Sequence, residues 1–101
     1  MANRYTLHYL PISVDDLDSI FEWIANDSPA NAASFVKKLD QRISNLMAHY
    51  HIGHVPKDET LKGYCYRILV IESYLVFYVI RGRTIEIHRV VHGFRNLDDI
   101  I

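Results

Sequence analysis

The last third of the chain holds three runs rich in β-branched and aromatic residues: "YCYRILVI" (64–71), "YLVFYVI" (74–80) and "TIEIHRVV" (84–91). Only Glu72-Ser73 and Arg81-Gly82-Arg83 separate them. Gaps this short join antiparallel neighbours, because a parallel return needs a crossover of about a dozen residues or more. A three-stranded meander is therefore predicted. Its middle run is apolar at both parities, which places it centrally. The last run alternates, with Ile85 and Ile87 on one side and Thr84, Glu86 and His88 on the other. Continued alternation puts His92 with Glu86 and His88.

An apolar sheet face needs a cover, and the upstream chain supplies one. Val14, Leu17, Phe21 and Ile24, with Ile20 beside them, form one helical stripe, and Ser13 is the predicted N-cap, with Asp16 in a capping-box-like place. A second helix begins at Ser28-Pro29, a cap followed by a proline at the first helical position. Its stripe runs through Ala32, Phe35, Val36, Leu39, Ile43, Leu46, Met47 and Tyr50, more than about 20 residues and roughly 30 Å of helix. Ahead of both, Tyr5, Leu7 and Tyr9 alternate as a short strand that Pro11 ends. Residues 51–63 read as a loop. The expected fold is α+β, a single domain over residues 1–101. It comprises an N-terminal strand and an antiparallel helical hairpin packed on one face of a twisted, mainly antiparallel sheet.

Half of the residues are apolar and the net charge is −1, which argues against a surface devoted to gripping nucleic acid. The charges are uneven: Asp15, Asp16, Asp18, Glu22 and Asp27 make the early chain acidic, and Arg81, Arg83, Arg89 and Arg95 the late chain basic. The single cysteine, Cys65, fits a reducing cytoplasm and reads as a small core residue. No segment reaches the ~18 apolar residues of a membrane span, so a cytoplasmic protein is expected. His49, His51 and His54 match no tight zinc spacing and read as solvated loop residues. No phosphate loop or nucleophile elbow appears. No metal or cofactor is expected.

The polar groups of the late strands are the candidate site. Arg67 and Tyr78 are expected on the open face, with Arg89 laying its stem on the core and its head in solvent. Gly93 would let the chain leave the sheet sharply, gathering Arg89, His92 and Arg95 at one rim. The plainer alternative makes Gly93 a turn and pairs Arg95 with Asp98 or Asp99.

Several stretches in order resemble the ParE/RelE superfamily of type II toxins. "YTLHYLPISVDDLDSIFEWIA" looks like its opening strand and first helix. The helix ending "LDQRISNLMAHYHIGH" is followed by a glycine-proline loop at Gly53 and Pro56. Strongest is the span from "YRILVIESYLVFYVI" to "IEIHRVVHGFRNL". The resemblance implies a cytoplasmic toxin neutralised by a cognate antitoxin, the two forming a hetero-oligomer. ParE-like members bind DNA gyrase and trap it on DNA. RelE-like members cleave mRNA on the ribosome with clustered cations and a C-terminal tyrosine or histidine. The strand-start arginine of that second branch falls at Leu75, and the tail "LDDII" offers two acids and no aromatic. The ParE-like reading is thus favoured, with target contacts expected at Arg67, Arg89, His92 and Arg95. A ribonuclease using Arg67, His92 and Arg95 is the alternative, and a non-toxic partner-binding domain the third. Antitoxin contacts are expected at Phe21, Trp23, Tyr50 and Tyr78, with Trp23 off the main stripe of its helix as an exposed anchor.

Overall fold

The computed structural model describes residues 5–93. Strand β1 (Thr6–Tyr9) leads into helix α1 (Pro11–Ala25) and helix α2 (Pro29–Ser44), which ends in a 3₁₀ turn (Asn45–Met47). A short helix α3 (Glu59–Gly63) precedes the meander β2 (Arg67–Ile71), β3 (Tyr74–Arg81) and β4 (Thr84–His92). The sheet order is β1-β4-β3-β2. The meander pairs antiparallel, and β1 lies parallel to β4. The middle run is interior, as its two-sided apolarity requires.

Ser28 caps α2 by accepting the Asn31 N–H, and Pro29 follows at the first position. The second helix is shorter than its stripe. Tyr50 lies beyond the 3₁₀ turn, in the loop that follows. Helix α1 begins earlier than expected: Leu10 is its N-cap, Pro11 opens it, and Ser13 is buried with its hydroxyl donating to the Leu10 carbonyl at 2.7 Å. Ser13 is therefore not the cap, and Asp16 is released for another role.

Ile20, Leu39, Ile43 and Leu46 of the helical layer pack on Leu69, Ile71, Val76, Tyr78, Ile85, Ile87 and Val90. The far face of the sheet is not simply wet. Leu61 of α3 covers Phe77 and Val91 there, with Tyr66, Ile68 and Leu75 against them. The loop expected over 51–63 thus contains a helix, capped by the Asp58 carboxylate, which accepts from Thr60 and Leu61 N–H. Cys65 follows it in a left-handed conformation (φ 63°), exposed, rather than in strand and core.

One irregularity sets which residues face which way. The β3–β4 register passes from Tyr78↔Ile87 to Phe77↔Arg89, so His88 is the extra residue of a bulge. Before it, Ile85 and Ile87 face the helices, while Glu86 and His88 face away. After it the parity inverts: Val90 and His92 pair with Val76 and Tyr74, which belong to the helix-side core or pack against it. His92 therefore leaves the face expected from unbroken alternation.

Candidate functional site

Strand β1 stops at Tyr9, and its last neighbour on β4 is Ile87. The upper half of β4 would otherwise expose an edge there. Helix α1 lies along it, and the Asp16 carboxylate takes the place of a strand. It accepts the Val90 N–H at 2.9 Å and a forked pair from Arg89, Nε at 2.8 Å and Nη2 at 2.9 Å. The side chains are only 14% and 19% exposed. The carboxylate raises the Arg89 pKa above its ordinary value, against the opposing effect of burial. Two parallel charge-assisted bonds fix the guanidinium as a strut between helix and strand.

Above this strut a groove of about 560 Å³ separates α1 from β4. Ile20 and Val90 lie in it, with Tyr74 and Trp23 among its walls and Ser19, Asp16, Arg89 and His92 adding polar groups. The His92 ring meets Tyr74 edge-on at 5.3 Å. Trp23 is 75% exposed, outside the core rather than a flank of it.

The other sequence-predicted residues lie elsewhere. Phe21 is exposed but outside the groove, on the flank of α1 that it shares with Val14. The Tyr50 ring stacks on Tyr5 at 4.3 Å beside the core. Tyr78, expected on an open face, is fully buried. Its hydroxyl donates to the Tyr50 carbonyl at 2.8 Å and accepts the Gly53 N–H at 2.9 Å. Burial raises its pKa, opposed by the Gly53 N–H and Arg67. Gly53 is obligatory here, since a Cβ would lie 2.5 Å from that hydroxyl oxygen. Arg67 shares the helix-side face with Tyr78 by register and donates to the His51 and Gly53 carbonyls at 3.3 and 3.1 Å. It binds the 50s loop and is not gathered with Arg89 and His92, which sit across β3. Gly93 extends the ladder one step, its N–H donating to Ser73 at 2.7 Å. Arg95, with Asp98 and Asp99, lies outside the described residues.

Sequence reasoning missed a second polar cluster, on the face away from the helices. The Tyr66 hydroxyl lies 3.0 Å from His88 Nδ1, His88 Nε2 3.2 Å from Glu86 Oε1, and Arg81 Nε donates to that same oxygen at 2.8 Å. A carboxylate only accepts, so Nε2 carries the proton and, in the neutral ring, Nδ1 accepts from Tyr66. Arg81 and His88 hold the Glu86 carboxyl below its ordinary range. Burial and Tyr64 raise Tyr66, partly offset by Arg89 and Arg81. The outward parity of Glu86 and His88 was legible; their link to Tyr66 was not. No three-residue cluster of metal-ligating side chains occurs among the described residues, and no helix among them is long and apolar enough to cross a membrane.

A family model for the ParE toxin of the type II toxin–antitoxin system parDE matches residues 7–97. The chain belongs to the ParE toxin family. Its fold is shared with a chain of the chromosomal ParDE toxin–antitoxin system from P. aeruginosa, at a TM-score of 0.74 and 19% identity. That match covers 90% of this chain and 98% of the other. A chain of the RelBE2 toxin–antitoxin complex from Mycobacterium tuberculosis matches at a TM-score of 0.63 and 19% identity, covering 91% and 94%. Among curated proteins, none matches the chain in sequence. This ParE-family protein is a type II toxin in which α1, β4 and the groove between them are built around Asp16.

Proposed function

We propose that this toxin acts as a ParE-like inhibitor that binds DNA gyrase and is neutralised by a cognate antitoxin. The observation that carries the reading is the ParE family match over residues 7–97. The spending of cations inside the fold supports it. Arg67 is committed to loop carbonyls and Arg89 to Asp16, whereas metal-free RNA cleavage needs cations aimed at a developing phosphorane. Leu75 packs against the Phe77 cluster, where the RNA-cleaving branch would need an arginine. In this reading Arg89 acts on gyrase chiefly by fixing the β4 rim, His92 continues that rim as a contact, and Arg95 is a further candidate contact. Antitoxin binding is assigned to the Trp23 groove, because an exposed tryptophan above an apolar floor is the surface most improved by being covered.

In a supercoiling assay with purified gyrase, saturating toxin is expected to block the reaction and leave ribosome-bound message intact. Undiminished supercoiling would reject the gyrase reading. New cuts in the ribosomal A site, by primer extension, would favour the ribonuclease instead, with His92 and Arg95 as its first residues to test.

A further inference from the structure

The charges that stay outside ion pairs sort to opposite ends of the molecule. Asp15, Asp18 and Glu22 lie exposed on α1, with Asp27 just beyond it, beside the end of the sheet where β4 finishes. None of them forms an ion pair among the described residues. The β3–β4 turn and the starts of β1 and β2 make the other end. There Arg67 and Arg83 have no carboxylate partner among the described residues. A row of rings joins the two. Arg67 Nη1 donates to the His51 carbonyl, and the His51 ring meets Tyr50 edge-on at 5.1 Å. Tyr50 stacks on Tyr5 at 4.3 Å, and the Arg83 guanidinium lies 5.7 Å from the centre of the Tyr5 ring. Arg67 spends only Nη1 on the loop carbonyls; Nε and Nη2 have no partner among the described residues. The acids of the neighbouring segments are turned elsewhere. Asp58 and Glu59 belong to α3 on the opposite face, and Glu86 is held by Arg81 and His88.

We infer that the edge from Arg67 to Arg83 is a contact for the phosphate backbone of duplex DNA, made without reading base sequence. A guanidinium offers a phosphate a planar fork of N–H donors. Here both forks are positioned by the fold before any ligand arrives, one by loop carbonyls and the other over a ring. Duplex DNA presents one negative charge per about 1.7 Å of its axis, the densest fixed array such a pair can meet. The acids on α1 repel the same polyanion, so the field turns the arginine end toward it. A single strand would need open ring faces on which its bases could stack. Tyr5 and Tyr50 are half-buried against each other, with Arg83 over Tyr5, so the rings serve as spacers between cations. The contact rests on the gyrase reading for its place in the cell and adds a second ligand to it. Gyrase would hold DNA beside the bound toxin at an effective concentration on the order of mM, where a weak contact counts.

Fluorescence anisotropy of the toxin alone with a labelled duplex of about 20 base pairs, from about 20 to 200 mM salt, measures the contact. The logarithm of the binding constant should fall with the logarithm of salt at a slope of about −2, since each neutralised phosphate contributes about 0.9. Arg83→Gln, at the exposed turn, should weaken binding about three- to tenfold at low salt and make the slope shallower by about 1. Arg67→Lys should keep the wild-type slope, whereas Arg67→Gln should lose as much as Arg83→Gln. Lys62→Gln removes the same charge from α3 on the opposite face and should change neither affinity nor slope. Equal losses in Lys62→Gln and Arg83→Gln would reduce the effect to net charge and overturn the inference. So would no binding at about 20 mM salt, tighter binding of single-stranded RNA of the same length, or equally effective capture of poly-glutamate, which would mark a surface for acidic polypeptides. Supercoiling is scored separately. Inhibition of gyrase by a toxin that fails to bind duplex sinks this proposal alone, whereas duplex binding without inhibition sinks the gyrase reading alone.

Discussion

Two polar constellations hang on β4, a few residues apart, and they are built in opposite ways. At the α1 seam, one carboxylate is saturated by a guanidinium fork and a backbone amide, and all three groups are withdrawn from solvent. On the far face, Tyr66, His88, Glu86 and Arg81 form an open chain that ends on a largely exposed arginine. The first bonds tertiary elements far apart in sequence. The second is mostly local to one hairpin. The extra residue at His88 divides them, because it inverts the parity of the strand: Glu86 and His88 face away from the helices, whereas Val90 and His92 beyond it face toward them. A single inserted position thus decides which polar groups hold the fold and which remain available at its surface.

The sharpest way to break this contrast is Asp16→Ala. It removes the carboxylate that takes the Arg89 fork and the Val90 N–H in a nearly closed site. Removing one partner of a buried pair costs 3–5 kcal/mol, and residual exposure here reduces that to about 3 kcal/mol. Urea denaturation should show the loss without a change in slope. A loss below about 1 kcal/mol would mean the strut is no more structural than the open chain. Next in size is Tyr78→Phe, which keeps the packing but orphans the Tyr50 carbonyl and Gly53 N–H. About 2 kcal/mol is expected. Hydrogen exchange at Gly53 should accelerate more than exchange at Val90, separating the loop anchor from the α1 seam.

Legibility in the sequence follows the range of the interactions. The meander was readable because its turns are local: Glu72 and Gly82 take the positive φ that two tight hairpins need. The Ser28-Pro29 helix start was readable for the same reason. Pairing of β1 with β4 was not, since nothing near Thr6 specifies a partner almost eighty residues away. Asp16 looked like a helix-start acid because its true partners, Arg89 and Val90, lie more than seventy residues on. Tyr78 looked like a surface residue because its buried hydroxyl is satisfied by a loop whose path periodicity does not encode. The bulge was invisible for a further reason: alternation counts residues, and an inserted residue leaves no compositional trace. The face of His92 was therefore misread while that of His88 was not. Trp23 was legible as exposed, but the groove beside it exists only once β1 stops short of the upper half of β4.

The open chain should respond weakly to the same kind of change. Tyr66→Phe removes one hydrogen bond from a partly exposed ring and should cost under about 1 kcal/mol, since a neutral pair contributes 0.5–1.5 and water can replace it. In the neutral ring, His88 should keep its proton on Nε2 in that variant, because Glu86 still faces that nitrogen. Long-range ¹⁵N–¹H spectra of the imidazole would show it, and a switch to the Nδ1 tautomer would mean that Tyr66, not Glu86, orients the ring.

Smallest, and most informative about the contrast, is the pH dependence of Glu86→Gln. Arg81 and His88 hold the native carboxyl below 4.5, its ordinary value. A depressed folded-state pKa means the ionised form favours the native state. Its contribution is fully present above that ordinary value and is lost as pH falls through the folded value. The wild type should therefore exceed Glu86→Gln by about a few tenths of a kcal/mol near neutrality, and the two curves should converge as pH falls through the depressed folded-state value. Asp16→Ala gives the contrasting case: its deficit at neutrality is several times larger, because the forked bonds and the backbone bond it removes are shielded from water. If the Glu86→Gln difference equalled that of Asp16→Ala, the far-face chain would be a second strut, and the bulge at His88 would no longer separate a structural from an addressable half of β4.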